Sequence, residues 1–248
     1  MLRTAAKPLE ALTWRAAMAV SCDPAEIVDM GWDSFADAVG VELGRWGGRR
    51  RNLTILRAIW AAAGEPDGVE RERPAALERA TFAIGDWHRA LGELADVEAR
   101  MVGVLDTLEL TDLVETIDGI SAVGAAAILA EAGDPARYDC ARTWVKHAGL
   151  CPRANESGNF NGATRVSGRG RPALRTAAWR ATWGALPHNP VWAARYHHLR
   201  TRTDNPLRDG QARTAIAAAL LRQLFVVVTR RVAWNPATAA GEEAPIAA

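Results

Sequence analysis

From Leu77 the chain places apolar residues at alternating steps of three and four: Leu77, Ala80, Ile84, Trp87, Leu91, Leu94, Glu98, Met101, Leu105 and Leu108. Nine of these ten positions are apolar, with Glu98 the exception. A strand brings side chains to one face at every second residue, so a three-four repeat held for about five heptads fits a helix and no strand. The spacing predicts one helix of roughly 35 residues within 74–110. Such a helix can serve as a coiled-coil arm that joins two copies of the chain. It can equally pack along shorter helices of its own chain, and the pattern leaves both open.

The rest of the chain reads as helices too. Ala dominates, while Val and Ile are scattered rather than set in alternating runs, which favours helix over sheet. Asp23-Pro24 has the form of an N-cap followed by proline at the first helical position. Asp33 opens a helix that Gly47-Gly48 ends, and a third follows Arg49-Arg50-Arg51 from Asn52 to Ala63. The Gly64–Pro74 stretch is polar and reads as a linker. Further on, Asp134-Pro135 starts a helix that Gly149 and Pro152 stop, Asn189-Pro190 opens another, and Asp209 opens a long one through Ala233. Its Arg213, Arg222, Arg230 and Arg231 read as outward-facing. The expected fold is all-α: a helical segment over 1–73, the long helix over 74–110, a helical domain over 111–234, and a disordered tail over 235–248.

Three dispersed cysteines, Cys22, Cys140 and Cys151, are too few for a disulfide framework and fit a reducing, cytoplasmic setting. Glu10 and Arg15 interrupt the apolar core that a signal peptide needs. The longest apolar run, Ala215–Val228, contains Arg222 and is short for a bilayer, so a buried helix is expected and no membrane partner.

A formal net charge of +1 conceals a segregation. Residues 1–136 carry 13 Lys+Arg against 23 Asp+Glu, whereas residues 137–231 carry 17 against 4. Arginine enrichment from composition alone would be spread along the chain. Its concentration in the second half predicts a polyanion-binding surface there, with nucleic acid as the partner.

Three motifs give that surface its candidate residues. Ile117-Asp118-Gly119-Ile120-Ser121-Ala122-Val123-Gly124 sits between apolar helical segments, as in a helix-hairpin-helix. Gly119, Ser121 and Gly124 mark a turn whose helix N-terminus can meet a phosphate oxygen, although the usual motif has glycine where Ser121 stands. Asn155-Glu156-Ser157-Gly158-Asn159 reads as a surface loop. A serine attacks a phosphodiester only if its proton is removed and the charge on phosphorus is stabilised. Spacing alone makes Ser157 a turn residue as readily as a nucleophile. Arg153, Arg165, Arg169, Arg171 and Arg175 supply positive charge, the last three in or just after Ser167-Gly168-Arg169-Gly170-Arg171-Pro172, read as a flexible basic loop whose amides join the guanidiniums. Trp179 and Trp183 read as core. Cys140, His147 and Cys151 lack zinc-site spacing and a fourth ligand, so no metal is expected on them.

The segments GISAVGAAAILAEAGDP, HAGLCPRANESG and SGRGRPALRTAAWRA, within Thr111–Trp234, resemble the C-terminal domain of a family of bacterial insertion-sequence transposases. That family pairs an acidic RNase-H-like domain with a serine, and several members are guided by a structured bridge RNA. The resemblance implies DNA transposition and recombination, with transposon ends and target DNA as partners, a guide RNA as a further one, and homo-oligomers through the Leu77–Leu108 helix. It implies that Ser157, in Glu156-Ser157-Gly158, is the nucleophile that becomes linked to DNA. It also implies a divalent metal such as magnesium on the acidic domain, whose ligands are not evident here; Asp33 and Asp37 fall on a helix. The chain therefore reads as a truncated member, either a serine transposase or a non-catalytic remnant that dimerises and holds DNA or RNA.

Overall fold

The computed structural model describes residues 11–65, 73–157 and 160–240, with the side chains of 154–164, 238 and 240 outside that description. The chain divides into two compact units, Met1–Asp96 and Val97–Ala248. Both are helical, and the all-α expectation holds apart from one hairpin.

In the first unit, α1 (Leu12–Val20), α2 (Pro24–Asp29), α3 (Trp32–Arg45) and α4 (Leu53–Ala63) surround a small core. Ala16, Ile27, Phe35, Val39, Leu43 and Leu56 are buried in it. The Asp23-Pro24 signal acts as read, whereas Asp33 lies inside the first turn of α3 behind Gly31, and Asn52, read as the first helical residue, stands at the N-cap of α4. The Asp23 carboxylate accepts from the Ala25 N–H, and the Asn52 side chain accepts from the Thr54 and Ile55 N–H groups. Arg51, last of the arginine run, is a structural residue: its guanidinium bonds the Ala36 carbonyl and lies 3.1 Å from the Asp37 carboxylate. The proposed linker lies mostly in residues 66–72, outside the described residues.

The periodic stretch forms α5 (Arg73–Thr107), 35 residues long. Its first turns pack Ile84, Trp87 and Leu91 against the small core of the first unit. Its last turns belong to the second unit, where Leu105 is buried and Met101 packs on that unit's own core. Of the seam positions within α5, Leu105 is buried, and Ile84, Trp87, Leu91 and Met101 are partly buried, each within its own unit. Leu94 and Leu108 stay exposed.

The second unit adds α6 (Thr111–Glu115), α7 (Ala122–Ala132), a 3-10 turn (Pro135–Arg137), α8 (Ala141–His147), strands β1 (Pro152–Ser157) and β2 (Phe160–Val166), then α9 (Pro172–His188), α10 (Pro190–Thr201), α11 (Asp209–Arg230) and α12 (Pro236–Ala240). Helix α11 is the axis, touching α6, α8, α9 and α10. Its Ile216, Leu220, Leu221 and Leu224 are fully buried beside Trp144 and Trp192. Each such leucine contributes roughly 1.5–3 kcal/mol by leaving water. Among the described residues α11 is the one helix long and apolar enough to cross a membrane, and 61% of its apolar window is buried in the unit, as in a core helix.

Two expectations are corrected here. Asn155–Ser157 belong to strand β1, not to a loop; Gly158 and Asn159 lie outside the described residues. A short polar segment with Gly and Asn gives a turn signal, and the flanking strands lack the apolar alternation that would have betrayed them. The tail is not wholly disordered: Pro236–Ala240 is helical and Ala239 is buried against the main core, while 241–248 lie outside the described residues.

Gly119 shows how tightly the second unit is packed. Its φ is +86°, and a Cβ there would sit 2.5 Å from the Ala185 Cα and 2.6 Å from the Gly184 carbonyl oxygen. Gly119→Ala is therefore expected to destabilise the unit by about 1–3 kcal/mol through backbone strain and overpacking. Gly85 lies in mid-helix with nothing within 4 Å of a built Cβ. Gly85→Ala should stabilise by about 0.5–1 kcal/mol. Urea denaturation followed by circular dichroism separates the two; effects of the same sign would contradict this packing.

Candidate nucleic-acid interface

The candidate residues gather around the β1–β2 hairpin and the segment that follows it. The strands pair antiparallel with Arg153 opposite Arg165 and Ser157 opposite Phe160, and the register slips between Arg153 and Asn155. Ser157 is thus the last residue of β1, at the tip of the hairpin. Arg153 and Arg165 face each other near its base, both exposed. Like charges directly opposite in a ladder repel, so this pair suits a site that an anion neutralises.

The base is closed by the Ser167–Arg171 segment, which crosses the end of α8. The Ser167 N–H donates to the Cys151 carbonyl at 2.9 Å, the Gly168 N–H to Gly149 at 3.1 Å and the Arg171 N–H to His147 at 2.7 Å. A Cβ at Gly170 would sit 2.3 Å from the His147 carbonyl oxygen. Glycine is needed here for close approach, and the segment is a pinned strap. The expected flexible loop with free amides is corrected accordingly, since three of its amides already hold carbonyls.

The predicted arginines divide by what they touch. Arg175 places Nη1 3.1 Å from the Ala148 carbonyl and 3.2 Å from that of Gly168, locking the strap. Arg171 pairs with Glu131 on α7 at 2.8 Å. Arg153, Arg165 and Arg169 are exposed and have no hydrogen-bond or ion-pair partner among the described residues.

The helical hairpin is placed differently from its motif reading. Gly119 is pressed on α9, as described, and its turn is held there by the buried Asn189, whose Nδ2 donates to the Asp118 carbonyl at 3.1 Å. Ser121 caps α7: its hydroxyl accepts from the Gly124 N–H at 3.1 Å. Ser121 and Gly124 line a cleft of about 630 Å³ between α7 and α9, with Thr176 and Arg180 on the other wall.

Several side chains carry signals that sequence spacing missed. Arg222 is half-buried, not outward-facing, and burial, with the charge of Arg195, pushes its pKa down. Trp183 is 55% exposed, not core, and the Arg213 guanidinium stacks 4.0 Å from its ring centre. Arg213 also pairs with Asp209, whose carboxyl is held below its ordinary range by a hydrogen bond from the Tyr196 hydroxyl. Cys140 stands at the N-cap position of α8, where Thr143 and the first amides of the helix lower its pKa. Among the described residues no group of three or more His, Cys, Asp or Glu is placed to hold a metal ion.

Fold and site together define a helical module that carries a basic hairpin. Residues 111–197 of the chain match the model of the Transposase IS116/IS110/IS902 family, which supports an insertion-sequence transposase and implies DNA as a partner. The matched stretch begins at α6, spans the hairpin and strap, and ends within α10. A search of the curated proteins gives no match.

The two kinds of arginine should separate in a stability measurement. Arg175→Ala strands two carbonyls and is expected to cost about 1–3 kcal/mol. Arg169→Ala should stay within about 0.5 kcal/mol of the parent. Thermal denaturation checks both; equal losses would place Arg169 in the strap's scaffold.

Proposed function

We propose that this chain is a serine-dependent DNA transposase of an insertion sequence, with Ser157 as the nucleophile. The observation that carries the reading is the position of Ser157 at the hairpin tip, within the family-matched stretch, on the same two strands as the unpaired Arg153 and Arg165. In the proposed step the Ser157 oxygen bonds to phosphorus. The phosphorus–oxygen bond to the departing strand breaks, and the serine proton ends on the oxygen that leaves. Guanidiniums near the scissile phosphate would neutralise charge that builds in the transition state. The arginine-rich second half would bind the rest of the DNA backbone, and the family resemblance adds a structured guide RNA as a second polyanion for it.

A covalent protein–DNA species on a denaturing gel is the expected product with DNA that bears the element's ends. Ser157→Ala should abolish it, while Arg169→Ala should weaken binding and lower the salt slope by about one phosphate contact. Salt-dependent binding by the parent chain without any covalent species would instead identify a non-catalytic binding module.

We further propose a homo-oligomer through the end of α5. Val97, Val104 and Leu108 are 42%, 59% and 48% exposed, and their steps of seven and four put them on one helix face. Light scattering should give a multiple of the 26.7 kDa chain mass. Val104→Asp with Leu108→Asp should yield the monomer with helicity unchanged; a monomeric parent would rule this contact out.

A further inference from the structure

Four arginines far apart in sequence wall one cleft in the second unit, on the flank of the hairpin's base. Arg165 comes from β2, Arg195 from α10, Arg202 from just beyond it and Arg222 from α11; the cleft measures about 830 Å³. Among the described residues no Asp or Glu lines it. Arg165, Arg195 and Arg222 have no hydrogen-bond or ion-pair partner among the described residues. Arg202 spends its Nε on the Asn205 carbonyl at 2.9 Å, which leaves its terminal nitrogens unused. Asp209, at the start of α11, is taken by Arg213 and Tyr196.

Holding four guanidiniums around one cavity is unfavourable without a counter-charge, the more so when one of them is half-buried. Guanidinium forks match phosphate oxygens in shape and charge. The floor between them is apolar, with Leu150, Val166 and Ala218. At several hundred Å³ the space suits an organic ligand and not a lone ion. Alternating phosphate and sugar offers both surfaces at once.

We propose that this cleft is a phosphodiester-binding subsite that holds the backbone of a nucleic-acid strand alongside the β1–β2 hairpin. It rests on the reading of the basic half as nucleic-acid-binding and is independent of any catalytic role for Ser157. The subsite recruits α10 and α11, which lie outside the strap and the helical hairpin on which the motif reading relied. Its neutral donor is Gln211, whose Oε1 is already bonded by the Arg208 N–H, so its amide nitrogen is left for the ligand.

The test uses the full chain and fluorescence anisotropy with three labelled oligonucleotides: duplex DNA, single-stranded DNA and an RNA hairpin, each over a salt series. Arg165→Glu with Arg195→Glu changes two exposed residues, so the fold should survive, as checked by circular dichroism. Affinity for the oligonucleotide that occupies the cleft should fall at least tenfold, and the log–log salt slope should fall by about 2. Arg230→Glu with Arg137→Glu makes the same charge change at exposed residues that do not line the cleft and should have a clearly smaller effect. Arg195→Lys with Arg222→Lys, which keeps the charge but loses the forks, should fall between the parent and the Glu pair. The oligonucleotide that responds identifies DNA or RNA as the occupant. Equal losses for the cleft pair and the control pair would overturn the subsite while leaving nucleic-acid binding intact. A parent chain that binds none of the three at low salt would overturn both.

Discussion

The short ladder between the end of α8 and the Ser167–Arg171 strap is the contact on which the second unit's surface depends. Three backbone hydrogen bonds and the Arg175 guanidinium join segments on either side of the hairpin. A two-stranded hairpin alone is marginal in water. With its base sealed in this way, β1 and β2 leave the helical body at a fixed place. Gly149, at φ +72°, and Gly170 are required because backbone passes backbone at distances that leave no room for a Cβ. Release of the strap would free the hairpin that carries Arg153, Arg165 and Ser157.

The body beneath is ordinary helical packing, and it sets where the charges go. Helix α11 is buried along its apolar face, so its arginines are confined to the remaining arc. Arg213 is neutralised by Asp209 and stacked on Trp183, whereas Arg222 has neither partner. Arg171 and Arg175 hold the scaffold, and Arg153, Arg165 and Arg169 do not. A surface on which some cations are carefully matched and others are left open is more informative than net charge. In the proposed function the open ones are where a polyanion would stand in for the missing carboxylates.

Much of this was legible in the sequence. The 35-residue helix followed from its heptads, the Asp23 and Asn189 helix starts from side-chain chemistry, and the basic half from counting charges. Those signals are local. What escaped depends on contacts between distant residues. Nothing near Gly170 says that it will lie against His147, so glycine read as flexibility where it serves close approach. Gly119 read as a ligand-facing turn because its packing partners, Gly184 and Ala185, lie more than sixty positions onward. Strands β1 and β2 escaped for a different reason: their polar composition carries no buried face. Arg195 and Arg222 are spaced like any outward-facing helical arginines, and only the fold brings them to Arg165.

In the proposed reaction the Ser157 oxygen is the atom that joins protein to DNA. Mass spectrometry of the trypsin-digested covalent reaction mixture tests this most directly. Cleavage after Arg153 and Arg165 isolates residues 154–165, and the account predicts a nucleotide mass on that peptide with fragmentation placing it on Ser157. A nucleotide carried by any other residue, or an unmodified peptide in a mixture where DNA has been cut and joined, would contradict it.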